Sequence, residues 1–256
     1  MPLALGACIG LVTGLTGAGG TVLAVPLLTI ALGLTMQQAA AISLIAIALS
    51  AGMQSIRGLM NGVVRYKAAM LIAACGLIAA PAGVKLAAHL PQIWLKLTYA
   101  AVLLYVALLA WQRRVDTPNA PVSSACQINP DTSRFNWTMP CTRRMMLTGA
   151  GAGLLSGLLG VGGGFIIVPA LQRISNLDHT PTLHTTLAAV ALIAIGSLLL
   201  HGAHAPLAWE IALPFVLGMV VSMWLSSLLF RKIPKQTSHT LFATLALVAA
   251  LAVLLP

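Results

Sequence analysis

Apolar residues run through this chain in long blocks separated by short polar stretches, and the blocks mark its elements. A first segment from Leu3 to Gly33 is broken by glycine. A second covers about Met36 to Arg57 and is closed by Asn61-Gly62 with Arg65 and Lys67, a third extends from Ala68 to His89, and a fourth runs from Pro91 to Trp111. Polar and charged residues then fill 112–144. Four more blocks follow as Met145 to Leu177 with a second glycine break, Pro181 to Leu200, Pro206 to Phe230, and Pro234 to Leu255. Each block is long enough to span ~30 Å of hydrocarbon at about 1.5 Å per residue. The pattern predicts an all-α polytopic membrane protein with a first membrane unit at 1–111, a polar linker at 112–144 and a second membrane unit at 145–256.

The two units read as copies of one another. Gly10, Gly14, Gly17, Gly19, Gly20 and Pro26 find the same residue type at Gly153, Gly157, Gly160, Gly162, Gly163 and Pro169, a constant offset of 143 positions. The same offset pairs Thr13 with Ser156, Ser43-Leu44 with Thr186-Leu187, and Tyr66 with Trp209. Two tandem four-segment repeats are expected, each beginning with a discontinuous or re-entrant helix.

Basic residues bear on how those broken segments lie. If both cross the membrane, the 14 Lys and Arg divide eight to six between the two sides. If both re-enter, only Lys85 and Lys96 stay apart from the other 12, the asymmetry that the positive-inside rule describes. Each copy then crosses three times and the second copy is inverted, a recurrent transporter plan with its site at the repeat interface. Both termini would face outside and the linker the cytoplasm.

Composition agrees: 59% of the 256 residues are hydrophobic, 7% are charged, and mean hydropathy is +0.97. A net charge of +10 would suggest nucleic acid in a soluble domain, but at the ends of membrane helices it sets topology, and no nucleic-acid partner is expected. Cys8, Cys75, Cys126 and Cys141 form no CxxC pair and have no His at ligand spacing, so structural or incidental roles are expected, with no metal and no cofactor. Trp94, Tyr99 and Trp111 suit the two headgroup belts, and Pro81 with Gly83 predicts a kink or a close helix contact.

Candidate chemistry concentrates at the glycine breaks. Irregular backbone at membrane depth must be satisfied by protein or by a water-filled cavity. Gly17, Gly19 and Gly20, and then Gly160, Gly162, Gly163 and Gly164, permit positive φ and the approach of a ligand without a Cβ in the way. Pro26 and Pro169 suit the first turn of a restarting helix, whose N–H groups and dipole offer an anion site. Thr13, Thr21, Ser43, Ser156 and Thr186 add hydroxyls. His184 and Arg57 complete the candidate set, although a lone His is often structural and an Arg ending a span often snorkels. Gly10, Gly14, Gly153 and Gly157 read as small-xxx-small helix packing instead.

These motifs resemble the TauE/SafE family of membrane permeases, the sulfite exporter and toluene-sulfonate uptake group. The resemblance rests on the doubled G-x-G-G-x-x-x-x-x-P break (Gly17 to Pro26, Gly160 to Pro169), on Asn61-Gly62-Val63-Val64-Arg65-Tyr66, and on Pro81-Ala82-Gly83-Val84-Lys85-Leu86-Ala87 followed by Pro91. It covers both units but not the linker. It implies a non-enzymatic permease that moves sulfite, sulfonates or related sulfur-containing anions across the bacterial inner membrane. The sequence departs from the family at Val64, where Asp is common, and carries His184 where the first copy has Ala41. A passive anion channel and a membrane metal or redox assembly factor are the alternatives, and a homodimer is left open.

Overall fold

The structure, a computed structural model, describes residues 1–16, 20–115, 126, 137–175, 177, 179–202, 208–229 and 244–252. Among them every regular element is helical: α1 (Pro2–Thr16), a 3-10 turn (Gly20–Leu23), α2 (Ala24–Leu32), α3 (Met36–Met60), α4 (Tyr66–His89), α5 (Gln92–Val115), α6 (Met139–Leu159), α7 (Gly164–Ile174), α8 (His179–Gly202) and α9 (Trp209–Leu229). Residues 244–252 are also helical. Among the described residues four helical stretches are long and apolar enough to cross a membrane: Met36–Met60, Tyr66–His89, Thr180–Leu200 and Trp209–Ser226. Their outer faces leave Ile78, Leu217 and Val221 exposed, as suits contact with lipid tails.

α3 and α8 form the centre and run antiparallel. His184 stands beside Gln54 and Gly58 near the end of α3, whereas Ile47 and Val190 together cover Gly162. Two further helix pairs flank this centre. Gly6, Gly10 and Gly14 of α1 meet Phe215, Met219 and Ser226 of α9 in ascending order, so these helices are parallel. Gly149, Gly153 and Gly157 of α6 meet Ile72, Gly76 and Ala80 of α4 in the same way. A Cβ on any of these six glycines would strike the facing backbone or a short side chain. Close approach of backbones is what drives helix association where lipid removes the hydrophobic force. The packing role expected for Gly10, Gly14, Gly153 and Gly157 is therefore what the structure shows. Gly83 follows suit: a Cβ there would come within 2.8 Å of the Leu158 nitrogen, which makes the Pro81–Gly83 stretch a close helix contact.

Short loops hold these helices in place. Gly33 ends α2 at φ 64, and two residues later Thr35 caps α3 in a capping box with Gln38, a feature worth about 1 kcal/mol. Thr138 caps α6, and Pro140 falls in its first turn.

Two expectations change, and the structural role expected of the cysteines is met by one pair. Tyr99 is no headgroup anchor: it is buried in α5, and its hydroxyl donates to the Val22 carbonyl at 2.6 Å, an oxygen to which Pro26, four residues on, has no N–H to offer. Trp94 is exposed as expected, and the Trp111 side chain lies outside the described residues. Pro169 lies inside α7, not in its first turn, because the helix resumes at Gly164 as soon as the glycine run ends; Pro26 does fall in the first turn of α2. Cys126 and Cys141 form a disulfide, and the Cys126 nitrogen donates to the Ile174 carbonyl, so the linker is stapled to the start of α6 and the end of α7.

Candidate functional site

Residues that follow each glycine run lie back against the helix that precedes it. A Cβ on Gly20 would lie 2.7 Å from Thr13 Cα, and one on Gly163 would lie 2.6 Å from the Ala152 carbonyl oxygen. Residues seven and eleven positions apart in a continuous helix would be separated by roughly 10 and 16 Å. In the second break Gly160 ends α6 at φ 71, and Gly162 and Gly163 follow at φ 76 and 75, a left-handed run that a side chain would strain. Gly164 then opens α7. Gly17 and Gly19 of the first break lie outside the described residues.

The two breaks meet. Thr21 Oγ1 donates to the Val161 carbonyl at 3.1 Å, and both residues are buried. The space beside the described glycines is filled by protein: Thr13 faces Gly20, Ala40 faces Gly160, Ile47 and Val190 face Gly162, and Ala152 faces Gly163. Protein atoms thus pack against the described part of the breaks, as irregular backbone at membrane depth requires.

Hydroxyls around the breaks fall into two sets. Thr13 Oγ1 returns to the Ile9 carbonyl at 2.7 Å, and Ser156 Oγ lies 3.1 Å from Ser197 Oγ, so both are satisfied within or between helices. Ser43 and Thr186 are fully buried, and among the described residues their hydroxyls have no partner. Ser43 shares a stripe of α3 with Ala40, which touches Gly160, and Ile47, which touches Gly162, so it lies along the second break. Thr186 precedes Val190 by one turn on the corresponding face of α8. A buried hydroxyl left without a partner costs about 1–3 kcal/mol.

The helices that restart after the breaks complete the arrangement. The N-caps of α2 and α7, Leu23 and Gly163, provide no side-chain hydrogen bond to the first turn. Two helix N-termini with their partial positive charge thus point at the meeting of the breaks. Arg57 and His184 do not join this group. The Arg57 guanidinium lies over the Trp224 ring, 5.0 Å from its centroid, and His184 Nδ1 lies 3.3 Å from the Gln54 carbonyl oxygen, both near the end of α3. Among the described residues no three His, Cys, Asp or Glu side chains gather at metal-ligating range.

The model of the family described as Sulfite exporter TauE/SafE matches residues 3–253. The chain belongs to that family. This TauE/SafE member is 27% identical over 252 residues to a probable membrane transporter protein of Xylella fastidiosa, covering 97% of this chain and 92% of the relative. It is 24% identical over 188 residues to the probable membrane transporter protein YdhB of Bacillus subtilis, covering 73% and 72%. Over 112 residues it is 29% identical to a probable membrane transporter protein of Haemophilus influenzae, covering 41% and 42%. No solved structure matches. The TauE/SafE chain is accordingly an integral membrane transporter, and its doubled break, quoted above from sequence, falls within the matched residues.

Proposed function

We propose that this TauE/SafE protein is a carrier of a small sulfur-containing oxyanion, sulfite or a sulfonate, across the bacterial inner membrane by alternating access. The observation that carries this reading is the pair Ser43 and Thr186: buried, unpartnered hydroxyls 143 positions apart on the break-facing stripes of the two central helices. An oxyanion accepts what these groups lack, and the uncapped N-termini of α2 and α7 add backbone donors and positive potential without a charged side chain. Thr13, Thr21, Ser156 and the break glycines position that backbone.

Two halves, 1–111 and 145–256, related as an inverted repeat, form the framework of the reading. Helix bounds support it: α3 begins at Met36 and α8 at His179, α4 at Tyr66 and α9 at Trp209, each pair 143 apart. Chain reversal at Gly20 and Gly163 supports re-entrant hairpins, and with them the 12-to-two division of basic residues that puts the linker in the cytoplasm. Protein packed on both sides of the meeting breaks favours a carrier over a continuously open channel.

The test is a binding screen of the purified chain against sulfite, thiosulfate, sulfate, taurine and sulfoacetate, with a Ser43→Ala/Thr186→Ala double variant beside it. At least one sulfur oxyanion should raise the unfolding temperature of the wild type and lose at least about tenfold in affinity on the double variant. Unchanged affinity in the variant would remove the site from the breaks, and no response from the wild type would remove the substrate class.

A further inference from the structure

At the end of α3 nearest the linker a second polar group assembles, apart from the breaks. Thr185 Oγ1, fully buried in α8, accepts the backbone N–H of Arg65 at 3.0 Å and so fixes the residue that precedes α4. Arg65 Nε is buried and has no partner among the described residues. The residue as a whole is half-buried, so the root of its guanidinium is covered by protein while the side chain stays accessible from this face. His184, adjacent to Thr185, lies against Gly58, where a Cβ would come within 2.7 Å of its Nδ1.

The positions 143 away carry nothing comparable. Arg65 corresponds to Ala208, His184 to Ala41, Thr185 to Ile42 and Arg57 to Leu200. One mouth of the central helix pair is therefore cationic and hydrogen-bonding, and the related positions at the other mouth are apolar. Carboxylates do not neutralise it among the described residues, where Glu210 is the one acidic side chain. It opens α9 at the opposite end, since α9 follows α8 and α8 runs antiparallel to α3.

We propose that Arg65, held by Thr185 and flanked by His184, is a second oxyanion station that loads the carrier from the linker-side face. It rests on the carrier reading above. The planar guanidinium offers parallel N–H donors that match two oxygens of a sulfur or phosphorus oxyanion, which a lysine cannot reproduce. The station gives the transporter unequal affinity at its two faces, with the linker-side face the tighter.

Sulfite uptake into proteoliposomes of both orientations, with wild type, Arg65→Lys and Arg65→Gln, tests this. Arg65→Gln should raise KM at the linker-side face about tenfold with kcat within about twofold, leave the opposite KM unchanged, and find Arg65→Lys in between. Equal changes at both faces, or none, overturn the station while leaving sulfite transport by the wild type standing. If Arg65→Gln does not yield monodisperse protein, a one-sided KM rise of about threefold in Arg65→Lys carries the test, and a symmetric or absent rise rejects it. Mass spectrometry of co-purified phospholipid separates the two sources of oxyanion. Loss of a bound lipid in Arg65→Gln with sulfite KM unchanged would make this a headgroup site and overturn the loading role. A wild type that moves no sulfur oxyanion brings down the carrier reading and this inference together.

Discussion

Thr21 donates its hydroxyl to the carbonyl of Val161, a bond that spans 140 positions of sequence and joins the two breaks directly. Replacing Thr21 by Val keeps the volume, removes the donor and leaves the Val161 oxygen buried without this partner. The expected loss is about 1–3 kcal/mol, read as a lower unfolding temperature in detergent, with Thr21→Ser close to wild type. Wild-type stability in Thr21→Val would mean that the bond contributes nothing.

Ser43→Ala and Thr186→Val should behave in the opposite way. Each removes a buried hydroxyl that has no partner, so stability should hold or rise slightly, by up to about 1 kcal/mol, while transport falls. Paired thermal-unfolding and uptake measurements check the opposed signs. A drop in stability of either variant would assign the hydroxyl to the fold and not to a ligand.

Gly151 and Gly153 provide a matched pair in α6. Nothing lies within 4 Å of a Cβ on Gly151, whereas a Cβ on Gly153 strikes the backbone of Gly76 in α4. Gly151→Ala should therefore purify as wild type, and Gly153→Val should lose most of its monodisperse yield on size exclusion, as expected for overpacking costs of about 1–3 kcal/mol or more. Comparable yields from the two would show that α4 and α6 have room to separate.

The disulfide bears on sidedness. Disulfides persist in oxidising compartments, whereas the topology proposed above from the basic residues would put the linker in the cytoplasm. In intact cells an impermeant maleimide should label neither Cys126 nor Cys141, before or after treatment with an impermeant phosphine. Labelling that appears only after the phosphine would reverse the orientation. In purified protein, Cys141→Ser should cost about 3 kcal/mol, given the sequence separation of 15.

Much of this fold is written in local chemistry. Apolar blocks bounded by Asn61-Gly62, Pro91 and Thr35 mark helix ends, and glycines spaced by four mark the faces of α1 and α6 that touch a neighbour. Tyr99 was not legible, because an aromatic in an apolar helix reads alike whether it faces headgroups or the Val22 carbonyl. Neither was the Cys126–Cys141 pairing, since the linker composition does not bring two distant cysteines together. At the site, the sequence marks Ser43 and Thr186 as hydroxyls but not as unpartnered ones. Their difference from Thr13, which bonds its own helix at Ile9, exists only once the helices are packed. Arg65 escaped for the same reason: beside Lys67 it reads as an ordinary charge at a helix end, and only the packed fold shows its Nε covered and its backbone N–H held by Thr185.

The crossed seating of α1 on α9 and of α6 on α4 has a consequence for how the chain becomes a folded protein. Each half lends an arm to the other, as partners do in an exchanged dimer, so each half made alone leaves a glycine-lined groove vacant. During synthesis α1 must wait in the bilayer for more than 190 residues before α9 emerges to receive it. Residues 1–111 and 145–256 produced as separate polypeptides should accordingly be degraded when alone and accumulate when made together.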